Sequence, residues 1–439
     1  MRAAVLAILA VRSLAACAQA APVVTVDEAA LREYAGTYQS LSDSLIYLQL
    51  WAEVTGRNQL VAVDESGEIR ALFPVGHDEF ITGRGAGLVD PIESRIAFRR
   101  DAAGRIRSLS WQRGNEPSRT ALRVQAERKD DAAFQNGTVR LAGTLISPPG
   151  HGRHPTIVLV HASGAEDREY LLPLTHFLIK RGFAVFGFDK RGVGASTGDW
   201  RTASFDDLAG DVVAAVEYLK TRQDVDGRQI GLFGWSQAGW VLPLAAVRIP
   251  DLAFLISVSG AGIPAAETTI DQTRNELRAR GLKPETVEDV VSIMRLQYEF
   301  ARTGAGWGDY MSAREKLAAR LGRPPGNFPA SQDDPYWDFI RRLYFYDPRP
   351  TLRRLRVPTL ALFGEVDNNI LAAKNAGEWE SALRDAGNPD FAVSILPKAN
   401  HLQLEASVGS NVEIPTLRRF VPAYSATLTE WLAKHVHAP

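Results

Sequence analysis

A single cysteine in 439 residues, Cys17, leaves no partner for an intrachain disulfide, so the folded units depend on their apolar cores. Charge of one sign is also lacking. With 50 Lys and Arg against 51 Asp and Glu, the formal net charge of -1 offers no broad attraction to nucleic acid or anionic lipid, and no basic run stands out. Nucleic acid is therefore not an expected partner. No heptad pattern marks an assembly surface. The N-terminal apolar stretch, Ala3 to Val11, is too short for a permanent bilayer-spanning helix.

That stretch follows Met1-Arg2 and precedes small residues around Ala15 to Ala21, which is the layout of an export signal. Residues 1–20 are thus expected to be a signal peptide, placing the mature chain in the periplasm or outside the cell. Leu14-Ala15-Ala16-Cys17 resembles a lipobox; on that reading the signal is 1–16 and Cys17 carries a lipid anchor, the one route to a membrane. Ala18-Gln19-Ala20 is the competing site for ordinary signal peptidase, and Arg12 interrupts the apolar segment on either reading.

Apolar residues make up 45% of the chain and charged ones 23%, ordinary values for a globular protein, and the length predicts two folded units. Across 21–121, the segments Leu45–Trp51, Gln59–Val63, Glu68–Phe73, Arg95–Arg100 and Arg105–Trp111 are strand-length, with turns at Asp64 to Gly67 and Asp101 to Gly104. They predict a small antiparallel β domain. It holds no His, Cys and carboxylate cluster at metal-ligand spacing, and its lone His77 reads as a surface residue. Across 122–439, an Asn136-Gly137 hairpin and the break at Pro148-Pro149-Gly150 lead into strands that alternate with helices. The strands Thr156–Val160, Ala184–Phe188, Ile230–Phe233, Phe254–Val258, Thr359–Phe363 and Phe391–Leu396 predict an α/β fold. Its mostly parallel sheet is covered on both faces, with the site at the carboxyl ends of the strands. The alternation stops over about 262–355. This aromatic-rich insert predicts a helical cap, from which Trp337 and Tyr344, together with Trp235, are candidates to line a pocket.

The stretch Gly234-Trp235-Ser236-Gln237-Ala238-Gly239 joins a short buried strand to a buried helix. Small residues at 234, 238 and 239 suit a strained turn that pushes the Ser236 hydroxyl out of the sheet, and the following helix aims the Gln237 amide at the same point. Serine needs a base, and the base an orienting acid. Of the eight histidines only His161 and His401 follow strands directly, and His161 opens the loop His161-Ala162-Ser163-Gly164, whose amides suit an oxyanion hole. His401 is left as the base. Gly364-Glu365-Val366-Asp367 ends another strand and supplies the acid; Asp367 is preferred as the deeper of the two carboxylates, with Glu365 the alternative.

At these residues the chain resembles the α/β-hydrolase superfamily from about Leu122 onward. The elbow, the His161 loop, Phe188-Asp189-Lys190-Arg191-Gly192-Val193-Gly194, the Asp367 loop and Asn400-His401 fall in that family's order, and bacterial acyl esterases and serine aminopeptidase-like hydrolases are the most similar groups. The resemblance implies Ser236 as nucleophile, His401 as base, Asp367 as acid, and the amides of Gln237 and Ser163 as oxyanion donors. It implies no metal or organic cofactor, and a bracing role for Asp189 and Arg191. Ala238 and Ala162 stand where glycine is commoner, and the β domain lies outside the family pattern.

Three functions follow as expectations. The first is a serine esterase that acts on a small ester through an acyl-enzyme. The second is an amidase or exopeptidase on the same residues, with Glu166 and Asp167 beside the oxyanion loop to receive an amine. The third is a non-catalytic surface binding protein that acts through the β domain.

Overall fold

The computed structural model describes residues 23–436 except 42, 171 and 323–327; the expected signal segment, with Cys17, lies outside the described residues. A short helix, α1 (Glu28–Tyr34), is capped by the Asp27 carboxylate and opens the first unit. Nine antiparallel strands follow: β1 (Gly36–Ser40), β2 (Leu45–Leu50), β3 (Leu60–Asp64), β4 (Ile69–Ala71), β5 (Phe73–Gly76), β6 (Glu79–Thr82), β7 (Ser94–Arg100), β8 (Ile106–Arg113) and β9 (Arg119–Val124). They pair in the order β4-β3-β2-β1-β9-β8-β7-β6-β5. The two edge strands are consecutive in the chain with only Leu72 between them, so the sheet must curl round on itself. Tyr38, Leu48, Leu60, Phe80, Phe98 and Leu109 fill its interior.

The sequence pattern predicts five strands here. The run Glu68–Phe73 breaks at Leu72 into β4 and β5, and β5 and β6 are too short to show alternation. Strand β9 buries only Ala121 fully and so reads as polar loop. Its Leu122 pairs with Gln39 and Ser108, which carries the first unit to Val124, past the expected boundary at 121.

A second core lies on the outer side of this sheet, and the two units share it. Trp51, Val54, Val63 and Phe73 pack with Leu402, Leu404, Ile414 and Leu417. Backbone bonds run alongside: Ile69 donates to the Arg418 carbonyl (2.8 Å) and Phe420 to that of Gly67 (3.1 Å). Leu404 is fully buried in this seam. Leu404→Ala is expected to cost about 2–5 kcal/mol of stability by urea denaturation; a change under about 0.5 kcal/mol would show that the two units do not fold as one body.

The second unit begins with the hairpin β10 (Arg128–Asn136) and β11 (Val139–Ser147), then β12 (His154–Val160), α2 (Leu172–Ile179), β13 (Ala184–Phe188), α3 (Phe205–Lys220), β14 (Val225–Trp235), α4 (Ala238–Ala246) and β15 (Phe254–Val258). The cap follows as α5 (Ala265–Ala279), α6 (Pro284–Thr303), α7 (Trp307–Leu321), α8 (Tyr336–Leu343) and α9 (Arg349–Leu352). The chain then returns to the sheet with β16 (Thr359–Gly364), α10 (Ala372–Asp385), β17 (Phe391–Leu396) and α11 (Pro422–His435). Sheet order is β10-β11-β13-β12-β14-β15-β16-β17, with β11 antiparallel to its neighbours and the strands from β13 to β17 parallel.

Helix α3 shows why the faces are covered. Ser204 and Asp207 form a capping box at its start, and Leu208, Val212, Ala215 and Leu219 recur at helical spacing on the buried side. It packs with α4 and α10 on one face of the sheet, while Leu178 of α2 and Leu428, Trp431 and Leu432 of α11 cover the other. Strand ends are level where it matters, since Val160 pairs with Gly234, Trp235 with Val258, and Gly364 with Leu396. Loops after β12, β14, β16 and β17 therefore open on one edge.

Candidate active site

Ser236 sits between β14 and α4 at a φ of 57°, in the left-handed region that non-glycine residues seldom occupy. Its amide donates to the Val258 carbonyl (3.0 Å), which holds the turn against β15. The need for small neighbours is steric. A Cβ on Gly234 would lie 2.4 Å from that of Ala238, and one on Gly239 would lie 2.4 Å from the Ala261 nitrogen.

Asp367 and His401 come together because the loops after β16 and β17 lie almost in contact. A Cβ on Gly364 would stand 2.4 Å from the Ala399 carbonyl oxygen, and the Val366 amide donates to that same oxygen (3.0 Å). His401 Nδ1 is 2.8 Å from Asp367 Oδ2, and both residues are buried. The other carboxylate oxygen accepts from the amides of Asn369 (2.7 Å) and Ile370 (2.9 Å). With every contact to the carboxylate a donor, Nδ1 carries the proton and Nε2 is left as the acceptor. Glu365, the alternative acid, is exposed and instead accepts from the Lys398 amide (2.8 Å).

The backbone of His401 is pinned as well. Its carbonyl accepts from the Trp235 indole (2.7 Å) and from the Ser259 hydroxyl (3.1 Å). Trp235, expected as a pocket residue, thus also links the serine strand to the histidine loop. Ser236 and His401 line one cavity of about 1230 Å³, and Ser163, Gln237 and Tyr344 line it with them. Trp337 does not join them: it is buried inside the cap, edge-on to Phe300, Trp307 and Tyr310. The cap needs a large apolar side chain for its own core, and Trp337 supplies it.

Behind the two expected oxyanion donors lies a residue that sequence reasoning passed over. Lys190 is buried, and its ammonium donates to the carbonyls of Ala162 (2.8 Å) and Gly164 (3.1 Å) and to Gln237 Oε1 (3.2 Å). One cation ties the loop that carries Ser163 to the residue after Ser236. Burial pushes its pKa down to about 8, against the pull of Glu166. The available signal was a lysine inside a loop that leaves an apolar strand, but its neighbours Asp189 and Arg191 mask it. Those two do brace: Asp189 pairs with Arg168, and Arg191 with Asp211. His161 is held neutral by burial and by Lys190, with its pKa lowered to about 3, so its Nε2–H donates to the Phe188 carbonyl (2.5 Å). Among the described residues no group of three or more His, Cys, Asp or Glu is placed to hold a metal ion.

A second cavity, of about 430 Å³, also reaches Ser236, on the side of Ala162 and Trp235. Trp51 of the first unit lines it, and Glu53 lines both cavities. Nothing in the sequence pointed to these residues, because the fold alone brings the first unit to the site.

The winding order of the larger sheet, and the strand ends at which serine, acid and imidazole fall, put this chain in the α/β-hydrolase class. The model of the X-Pro dipeptidyl-peptidase (S15) family matches residues 136–403, and the chain belongs to that family. Esterase EstD of Thermotoga maritima is 24% identical over 271 residues, which cover 60% of this chain and 58% of EstD. A putative carboxymethylenebutenolidase of Synechocystis is 23% identical over 143 residues, covering 29% of this chain and 57% of the relative. The chain therefore spans little more than half the length of these relatives. Among solved structures, the proline iminopeptidase-related protein TTHA1809 of Thermus thermophilus is similar at a TM-score of 0.45 and 22% identity, over 71% of this chain and all of its own.

Proposed function

We propose that the protein is a serine hydrolase of carboxylic esters, with Ser236 as nucleophile, His401 as general base and Asp367 as its orienting acid. The buried Asp367–His401 pair beside a strained serine carries this reading. The Ser236 oxygen attacks the ester carbonyl while its proton passes to His401 Nε2, and the carbonyl oxygen gains the negative charge. The amides of Gln237 and Ser163 stabilise that charge. As the bond to the alcohol oxygen breaks, His401 returns the proton to the leaving alcohol and an acyl-enzyme remains. Water then gives a proton to His401, attacks the acyl carbon and releases the acid, and Ser236 recovers its hydrogen. Export through residues 1–20, with or without an anchor at Cys17, belongs to the same proposal.

An amidase or exopeptidase is the second reading. The family name favours it, and so does Glu166, which lines the smaller cavity beside Ser236. A fluorophosphonate probe, followed by mass mapping, tests the shared chemistry. Label on Ser236 in the wild type, and none in Ser236→Ala, is the expected result; a folded wild type that takes no label would overturn both readings. Comparing kcat/KM on aryl esters and on aminoacyl amides then decides between them, and esters are expected to be the better substrates.

A further inference from the structure

We infer that the N-terminal β unit is a wall of the substrate site, and that the cavity it shares with Ser236 takes an apolar acyl chain. This rests on the ester-hydrolase reading above. Two cavities meet at Ser236, and only the larger also contains His401, Ser163 and Gln237. His401 must hand its proton to the departing alcohol, so the alcohol lies on the His401 side. The acyl chain is attached to the same carbon and has to leave in another direction, which is the smaller cavity.

The lining combines aromatic side chains with the charged Glu53, Asp64, Glu65, Glu166, Lys180 and Arg181, the last lying over the Phe177 ring, and the aromatic wall is the part that suits a hydrocarbon. Tyr170, Phe177, Phe420 and Tyr424 of the second unit face Tyr47 and Trp51 of the first. Trp51 lies parallel to Phe420, with centroids 6.4 Å apart and planes 25° from each other, so the aromatic lining is continuous across the seam between the units. Lys180 at the end of α2 pairs with Glu65 in the β3–β4 turn, which puts a neutralised ion pair between the units beside the aromatic wall. Each methylene removed from water into such a lining gains about a factor of four in binding. Without the first unit, one whole side of the cavity would be open to solvent.

The test uses the full chain and a p-nitrophenyl ester series: acetate, butanoate, octanoate and decanoate. The wild type is expected to prefer octanoate over acetate by at least tenfold in kcat/KM. Ser66, at an exposed turn of the first unit, and Ser425, exposed in the first turn of α11 in the second, both line the cavity. Ser66→Trp narrows it from the first unit and is expected to reduce the octanoate-to-acetate ratio at least tenfold; Ser425→Trp is expected to do the same from the second unit. An unchanged ratio in folded Ser66→Trp overturns the inference. So does a Ser66→Trp penalty that appears instead in a series of acetyl esters of hexyl, octyl and benzyl alcohols, since that would seat the alcohol in this cavity. Absence of hydrolysis of every ester by the wild type, together with absence of fluorophosphonate labelling, would instead overturn the parent reading.

Discussion

Ser236→Ala or His401→Ala is expected to lower kcat on the best ester by on the order of 10⁴ to 10⁶, and the double variant to lose no more than the worse single. The groups act as one unit, so removing the base from a site that has no nucleophile costs nothing further. Asp367→Asn discriminates more finely. Oδ1 of Asp367 is held by two amide donors, so the asparagine oxygen stays there and its NH₂ is presented to His401 Nδ1. The imidazole must then accept at Nδ1 and carry its proton on Nε2, where it is unable to take the serine proton. A fall in kcat of about 10⁴ with an unchanged melting temperature is the expected result. A folded Asp367→Asn enzyme within tenfold of wild type would remove Asp367 from the mechanism. The control serine matters in this comparison. Ser196 is buried and donates to the Asp189 carbonyl (2.7 Å), so its loss disturbs the Lys190 loop; the exposed Ser312 on α7 is the better control.

The elements that hold the candidate site were legible because each has a local cause. Gly234 and Ala238 are small because a side chain on the first would meet that of the second across the turn, and Gly239 because it packs on the loop after β15; the strand before Glu365 is an apolar run buried on both faces, and the one before Pro397 is an apolar run at the sheet edge. What escaped had a non-local cause. Strand β9 is mostly exposed and gains its identity only from β1 and β8, to which it is paired. Trp337 and Tyr344 look alike in sequence, yet one fills the cap and the other lines the cavity. The choice depends on the path of α8, which no spacing records.

The union of the two units has the same origin. Composition and turn signals describe the first hundred residues as a separate β domain, and a binding protein working through that domain alone was a fair expectation. Its outer core is completed by Leu402, Leu404, Ile414 and Leu417, which follow the histidine of the site. Cut at Val124, the β unit would expose Trp51, Val54 and Val63 to water. An isolated fragment is a poor vehicle for a binding function, and the intact chain places that face beside Ser236.

Lys190→Met is expected to lower kcat/KM by about 10² to 10³, as much as the loss of an oxyanion donor, although the lysine touches no substrate. Its ammonium uses all three donors to fix the Ala162–Gly164 loop and the Gln237 side chain, and methionine fills similar volume without any of them. A merely structural effect is separable by pH. Because burial lowers the Lys190 pKa to about 8, the wild-type kcat/KM is expected to descend above pH 8 as the cation is lost, and Lys190→Met to lack that limb. Stability moves the other way. The unfolded lysine holds its proton to about pH 10.4, so between about 8 and 10.4 the unfolded state binds more protons and the folded state gains stability as pH rises. Below pH 8 that gain is absent. Wild-type activity that falls across this window while its stability relative to Lys190→Met rises would fix the lysine as a positioning residue for the oxyanion loop. Parallel pH profiles for the two proteins would leave it a structural tie.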